Sequence, residues 1–327
     1  KKHFFAYERN PEIISSLEAT RTHPYFFEWE KLPENIELIP QLESILPEID
    51  LIISIIPCQF VASSFHEMKN SLKDWVTILN LAKGIDNKSL QTISEKLQEI
   101  LSQAPSVLRT PPSTKEAYKK KFPLVEGDTC EAGGGVYTYA YLAGGMIAQE
   151  LVDEKQLWAD IVCENETLWN ELKKLFESNT LHIKVKIWHP KNTELYAALK
   201  NIVALILWYY EGQWAGASTL GYYFSTLLTE IKWVIELLHI NSLYEEDKYD
   251  FTDYALSGDL IATCFGASRN RLLWNMLGQG KNIEAALEEL RSQKKIAEGY
   301  ETLKWIYTLT QWKEGFEEIN TFGEKYL

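Results

Sequence analysis

Hydrophobic positions along the chain fall into two regimes. Up to about residue 190, short β-branched runs alternate with stretches of helical spacing; beyond it only helical spacing remains. In the first regime Asp50–Pro57 and Trp75–Leu81 are apolar runs of the kind buried on both faces of a parallel sheet. Tyr137–Leu142 and His182–Ile187 predict further strands, and Lys1–Asn10 predicts a strand ending in charge. Helices are predicted from Pro11 through Leu17 and over Phe60–Leu72, Ser89–Leu101 and Thr167–Phe176, with a short strand at Leu38–Pro40 and a short helix at Leu42–Leu46. The second regime predicts helices over Leu195–Tyr210, Thr219–Leu238, Arg271–Leu277, Ile283–Leu290, Gly299–Leu309 and Trp312–Phe322. Strands alternating with helices predict a doubly wound, Rossmann-like α/β sheet, in which ligands bind at the carboxyl ends of the strands. Pro57-Cys58-Gln59-Phe60 and Lys83-Gly84 fall at such ends. The chain thus divides into an α/β domain over 1–190 and an all-helical domain over 191–327. The first contains an insertion at about 109–136, with three consecutive lysines and Gly133-Gly134-Gly135, read as a long loop. No internal repeat is visible.

The stretch Thr193–Gly212 organises the second domain. Pro190 and Asn192/Thr193 start it, Gly212 stops it, and Leu195–Tyr210 is apolar on nearly every face, as in a buried central helix. It is too short for a membrane span and carries Lys200 and Asn201 in mid-run. A buried ammonium is costly unless it is paired or employed. Two readings stay open: Lys200 snorkels to the surface on its long stem, or it is held at a substrate pocket. A second segment, Gly258–Arg271, is not explained by packing. Asp259 follows a glycine in an apolar setting, and Ser268 suits a helix N-cap. Thr263, Ser268, Arg269 and Asn270 bring hydroxyls, an amide and a guanidinium to a helix N-terminus, where an anion is favoured. The bland alternative is an ordinary cap with an exposed arginine.

Composition narrows the partners. A net charge of −13 argues against a nucleic-acid or anionic-membrane surface, so an anionic substrate needs a local basic cluster. The four cysteines lack CxxC spacing and read as reduced intracellular thiols with no zinc site. No signal peptide or membrane span is visible. The eleven tryptophans are taken mainly as core and interface filling.

The two segments together carry a family resemblance. Leu199-Lys200-Asn201-Ile202-Val203-Ala204 resembles the "LKNvvA" helix of the NAD(P)-dependent glycerol-3-phosphate dehydrogenases, and Gly258–Arg271 resembles their "GDLi.TC....SRNR" segment. Leu32–Ile36, Pro57–Phe60, Lys83-Gly84, Leu142–Glu150 and Ala297-Glu298-Gly299 are similar to further motifs of that family, in the right order. The resemblance implies reversible hydride transfer between dihydroxyacetone phosphate and sn-glycerol 3-phosphate. It implies Lys200 as general acid and base, Lys83 as a cation polarising the same oxygen, and Asp259 as the group orienting Lys200. Asn201 would hold a substrate hydroxyl, and Thr263, Ser268, Arg269 and Asn270 the phosphate. Glu8, Arg9, Pro57, Phe60, Lys83, Ala148, Arg269 and Glu298 would line the cofactor. Glu8 near the end of a strand suits the ribose hydroxyls of NAD, and Arg9 beside it suits NADP; NAD is preferred. A homodimer in the cytoplasm is the family-level expectation.

The chain also departs from the family pattern. It has no GxGxxG loop, and its first strand corresponds to the family's second. Two explanations arise: a strand–loop–helix unit of about 20–30 residues precedes Lys1, or the chain is a relative that lost the cofactor. Gly145-Met146 stands where the family has Pro-Ser, and Ala217-Ser218 with Thr226 where it has Asp-Asn and Arg. Other functions compatible with the residues are a 3-hydroxyacid-type dehydrogenase of the same two-domain plan, a non-catalytic sensor of a phosphate metabolite, and a helical scaffold with Lys200 in solvent.

Overall fold

A computed structural model describes residues 3–86, 89, 91–102, 137–187, 190–239, 254–265, 269–292 and 298–327. The predicted 109–136 insertion and Cys130 lie outside them. The chain begins with β1 (Phe4–Ala6) and α1 (Pro11–Thr20), capped by Asn10, whose side chain accepts the Glu12 amide. Strand β2 (Ile36–Leu38) pairs parallel with β1 to form a small sheet of its own. The main sheet holds β3 (Leu51–Ser54), β4 (Val76–Asn80), β5 (Tyr137–Ala143), β6 (Leu157–Cys163) and β7 (Leu181–Ile187), in that spatial order. Strands β3, β4 and β5 run parallel; β6 is antiparallel to β5, and β7 runs with β6. The sheet is covered by α2 (Cys58–Met68), α3 (Ile93–Ser102) and, after the short exposed α4 (Ala148–Val152), α5 (Glu166–Phe176).

After β7 the chain is helical. Helix α6 (Lys191–Gly212) is followed by α7 (Ala217–His239) and a single π-helical turn at Tyr254–Gly258. Then come α8 (Asp259–Phe265), α9 (Arg269–Gly278), α10 (Ile283–Ser292), α11 (Glu298–Thr310) and α12 (Glu317–Tyr326). Every residue of α6 from Asn192 to Tyr209 is buried, including Glu194, Lys200 and Asn201 in its otherwise largely apolar sequence. Trp208 and Trp274 are fully enclosed, with Phe322 and Tyr326 packed beside Trp274 and Tyr209 packed on both of those rings. Cutting Leu199 or Ile202 back to Ala leaves a hole in this core and costs about 2–5 kcal/mol. Trp29, Trp214 and Trp312, by contrast, stand out at the surface.

Several boundaries differ from the sequence pattern. Strand β2 precedes Pro40 by two residues, and residues 42–46 form turns leading into a 3-10 turn at Leu46–Glu48 rather than a helix. Helix α3 starts at Ile93, not Ser89, because Asp86 accepts the Ser89 amide and hydroxyl and bends the chain there. Thr92 and Glu95 then close a reciprocal capping box at its N-terminus. Helix α12 starts at Glu317, after a turn that includes Gly315, rather than at Trp312. Strand β6 is absent from the predicted elements altogether.

Candidate active site

Two backbone positions bring the sheet's strand ends against the helical domain. Just past β4, Gly84 has φ +156°, and a Cβ there would lie 2.5 Å from the Cys58 Sγ. Just past β5, Gly144 has φ +151°, and a Cβ would lie 2.7 Å from the Trp158 carbonyl oxygen. Both therefore need glycine. These turns aim Lys83 across the domain junction: its Nζ donates to the Gly144 carbonyl oxygen at 2.9 Å and pairs with Asp259 Oδ2 at 2.8 Å.

Asp259 opens α8 and is buried. Its other oxygen, Oδ1, pairs with Lys200 Nζ at 2.6 Å. Lys200 also donates to Thr263 Oγ1 at 2.8 Å, and Thr263, one turn along α8, faces the same carboxylate at 3.4 Å. One carboxylate thus bridges two ammonium groups from different domains. Lys200 is only 3% exposed, so the snorkelling alternative does not hold. Burial and then the nearby Lys83 cation lower its proton affinity while Asp259 raises it; the net result is a pKa lowered to about 8. The adjacent Cys264 thiol is pushed up to about 12 by burial and stays protonated. Asn201 follows Lys200 on α6 and is mostly buried.

The remaining candidate residues are dispersed. Pro57 precedes α2; Phe60 in its first turn is 52% exposed, and Ile55, just past β3, is 73% exposed. Ala148 begins α4 in an exposed position. Glu8 lies just past β1 and accepts the Arg9 and Asn10 amides at 2.7 and 2.8 Å, while Arg9 pairs with Glu67 of α2. Ser268 lies outside the described residues; Arg269 and Asn270 open α9 and Glu298 opens α11, their side chains likewise undescribed. Ile55, just past β3, and Phe60, in the first turn of α2, are exposed apolar side chains at the carboxyl end of the sheet, where ligands bind in folds of this kind. The sequence carries no GxGxxG motif.

Sequence reasoning missed two buried groups at the junction. Glu194 of α6 accepts the Ser94 amide at 3.1 and 3.2 Å, together with the Ser94 and Tyr139 hydroxyls. Burial pushes its carboxyl up to about 7. The other is Asp160 of β6, paired with Lys186 of β7 at 3.3 Å. A lone charge inside the apolar run Leu157–Cys163 was the signal available for Asp160, whereas Glu194 sits in the polar first turn of α6 and carried none. Among the described residues no cluster could hold a metal ion, and no helix is long and apolar enough to cross a membrane.

A Rossmann-like sheet whose strand ends meet a helical domain, with a Lys–Asp–Lys cluster at the junction, is the arrangement expected of the two-domain, nicotinamide-linked dehydrogenases that the sequence resembles. Comparison makes this specific. The family model for the N-terminus of NAD-dependent glycerol-3-phosphate dehydrogenase matches residues 2–125, and that for its C-terminus matches residues 190–324. The chain belongs to the NAD-dependent glycerol-3-phosphate dehydrogenase family. Among its relatives, the cytoplasmic NAD(+) glycerol-3-phosphate dehydrogenase of Homo sapiens is 26% identical over 302 residues, covering 90% of this chain and 74% of that one. The NAD(P)+ glycerol-3-phosphate dehydrogenase of Geobacter metallireducens is 25% identical over 306 residues, covering 93% and 79%. The solved glycerol-3-phosphate dehydrogenase of Coxiella burnetii shares the fold with a TM-score of 0.78 at 16% identity, over 99% of this chain and 88% of that one. That of Plasmodium falciparum does so at 0.76 and 18%, over 99% and 83%.

Proposed function

We propose that the protein reduces dihydroxyacetone phosphate to sn-glycerol 3-phosphate, reversibly, with Lys200 as general acid and base. The observation that carries this is Lys200 itself: a nearly fully buried ammonium on the Asp259 carboxylate, with Lys83 on its other oxygen. The nicotinamide, when bound, supplies the hydride for reduction and accepts it in the reverse direction. Lys200 donates its proton to the carbonyl oxygen as charge develops there, and takes it back when the alcohol is oxidised. A pKa near 8 makes either transfer efficient near neutrality. Lys83 adds positive potential at the same oxygen. Asp259 orients both amines and keeps Lys200 protonated enough to act as an acid. Asn201 holds a substrate hydroxyl, and Thr263, Ser268, Arg269 and Asn270 hold the phosphate at the N-terminus of α9. Phe60, Pro57, Ala148, Glu8, Arg9, Arg269 and Glu298 line the cofactor, which is NAD in preference to NADP. The enzyme acts as a cytoplasmic homodimer.

The test is NADH oxidation by the full-length protein, with and without dihydroxyacetone phosphate, against a panel of 3-hydroxy and 3-keto acids. Turnover confined to the phosphate ester, lowered about 100- to 10,000-fold by Lys200→Ala, supports the reading. Unchanged turnover in that variant, or a preference for a carboxylate substrate, overturns it.

A further inference from the structure

The described groups facing Lys200 are Asp259, Thr263 and Cys264 from α8, Lys83 from the turn after β4, and Asn201 on its own helix. Asp259 is the only anion among them, so its position sets the chemistry. It lies immediately after the π-helical turn Tyr254–Gly258, and what fixes that turn fixes the carboxylate.

The turn is held at its first two residues by the sheet. Asp160 Oδ2 accepts the Ala255 amide at 3.0 Å, satisfying a donor that a helix N-terminus would otherwise leave unpaired. The Ala255 side chain is buried against Tyr141 and Ala143 of β5 and Ala197 of α6. The Lys184 ammonium sits 5.5 Å from the centre of the Tyr254 ring. Asp160 is fully buried on a strand that is otherwise apolar on its inner positions, and Lys186 beside it offsets its charge. A buried ion pair is seldom retained for stability, since an apolar pair of equal volume does as well or better.

We infer that Asp160, supported by Lys186, is a positioning residue: by anchoring the Ala255 amide it fixes the π-helical turn and thereby the Asp259 carboxylate between Lys83 and Lys200. The acceptor on Asp160 carries this role, and Lys186 makes the acceptor tolerable in the core. Loss of the anchor lets Asp259 drift from Lys200, which then stays desolvated with less compensation and holds its proton less tightly. This inference rests on the acid–base role proposed for Lys200.

Two double variants separate anchor from charge. Asp160→Asn with Lys186→Met removes both charges and keeps an oxygen acceptor; Asp160→Leu with Lys186→Met removes both charges and the acceptor. Three readouts apply: hydrogen exchange of the 254–259 amides, the pH midpoint for acetylation of Lys200 by acetic anhydride, followed by peptide mass spectrometry, and kcat and KM for dihydroxyacetone phosphate. In the Leu/Met variant the segment should exchange about tenfold faster, the Lys200 midpoint should move to lower pH, and kcat should fall about tenfold or more with KM little changed. The Asn/Met variant should stay within about twofold of wild type in all three. Equal Lys200 midpoints in the two folded double variants overturn the inference, as does faster exchange with no change in midpoint. If the wild-type protein itself does not turn over the phosphate ester, the functional reading fails alone, and exchange and acetylation still decide the role of Asp160.

Discussion

Replacing Asp259 by Asn removes one negative charge and almost no volume. In the native site that charge lies between two amines, 2.6 Å from Lys200 Nζ and 2.8 Å from Lys83 Nζ. Unit charges about 4 Å apart at an effective dielectric near 20 interact by about 4 kcal/mol. Since 1.36 kcal/mol corresponds to one pKa unit, loss of Asp259 weakens proton binding by Lys200 by roughly three units. Wild-type Lys200, with a pKa of about 8, is mostly protonated at pH 7. Ketone reduction by wild type should therefore be level at neutral pH and fall as pH rises through about 8, while alcohol oxidation rises over the same range. In Asp259→Asn both limbs move together, about three pH units lower, so reduction at pH 7 lies about a hundredfold below that variant's own acid plateau. The ratio of forward to reverse kcat/KM at any pH is fixed by the reaction equilibrium, so the limbs rather than the ratio are diagnostic. The assay is the pH profile of kcat/KM in both directions, with circular dichroism as the control for folding. A folded variant whose limbs stay at the wild-type pH would refute Lys200 as the titrating acid.

Lys83→Met gives the opposite displacement: it removes the cation that loosens the Lys200 proton, so both limbs should move to higher pH by roughly one unit, measured in the same profile. Glu194 has a folded-state pKa raised to about 7 against an ordinary value of 4.5, so its contribution to stability is full below the ordinary value and lost as pH rises through about 7. Urea unfolding at pH 5 and pH 8 should show wild type losing up to about 3 kcal/mol relative to Glu194→Gln over that interval; parallel pH dependences would contradict this. Gly84→Ala forces a Cβ to 2.5 Å from the Cys58 Sγ at a φ of +156°. It should cost about 1–3 kcal/mol in denaturant titration and lower turnover by moving Lys83.

The central helix was legible because its apolar run needs no tertiary context: a stretch apolar on all faces has nowhere to go but inside. Lys200, Asp259 and Thr263 drew attention within their own segments, but it was the family resemblance, not the residues alone, that put them together. The contact of Lys83 with the Gly144 carbonyl was not legible, since it joins turns that follow two different strands and depends on how those strands pair. Strand β6 was hidden by Asp160, which breaks the apolar run Leu157–Cys163; the reason for that aspartate lies on the π-helical turn, far along the chain. The start of α3 was displaced by local competition, with Asp86 capturing Ser89 before helix could begin.

Lys83 comes from the sheet, whereas Lys200 and Asp259 come from the helices. Taken alone, the helical half would lack the second cation that joins burial in loosening the Lys200 proton, and the sheet half would hold a lysine without its carboxylate partner. In the proposed mechanism, correct seating of the two halves is therefore what completes the acid–base site.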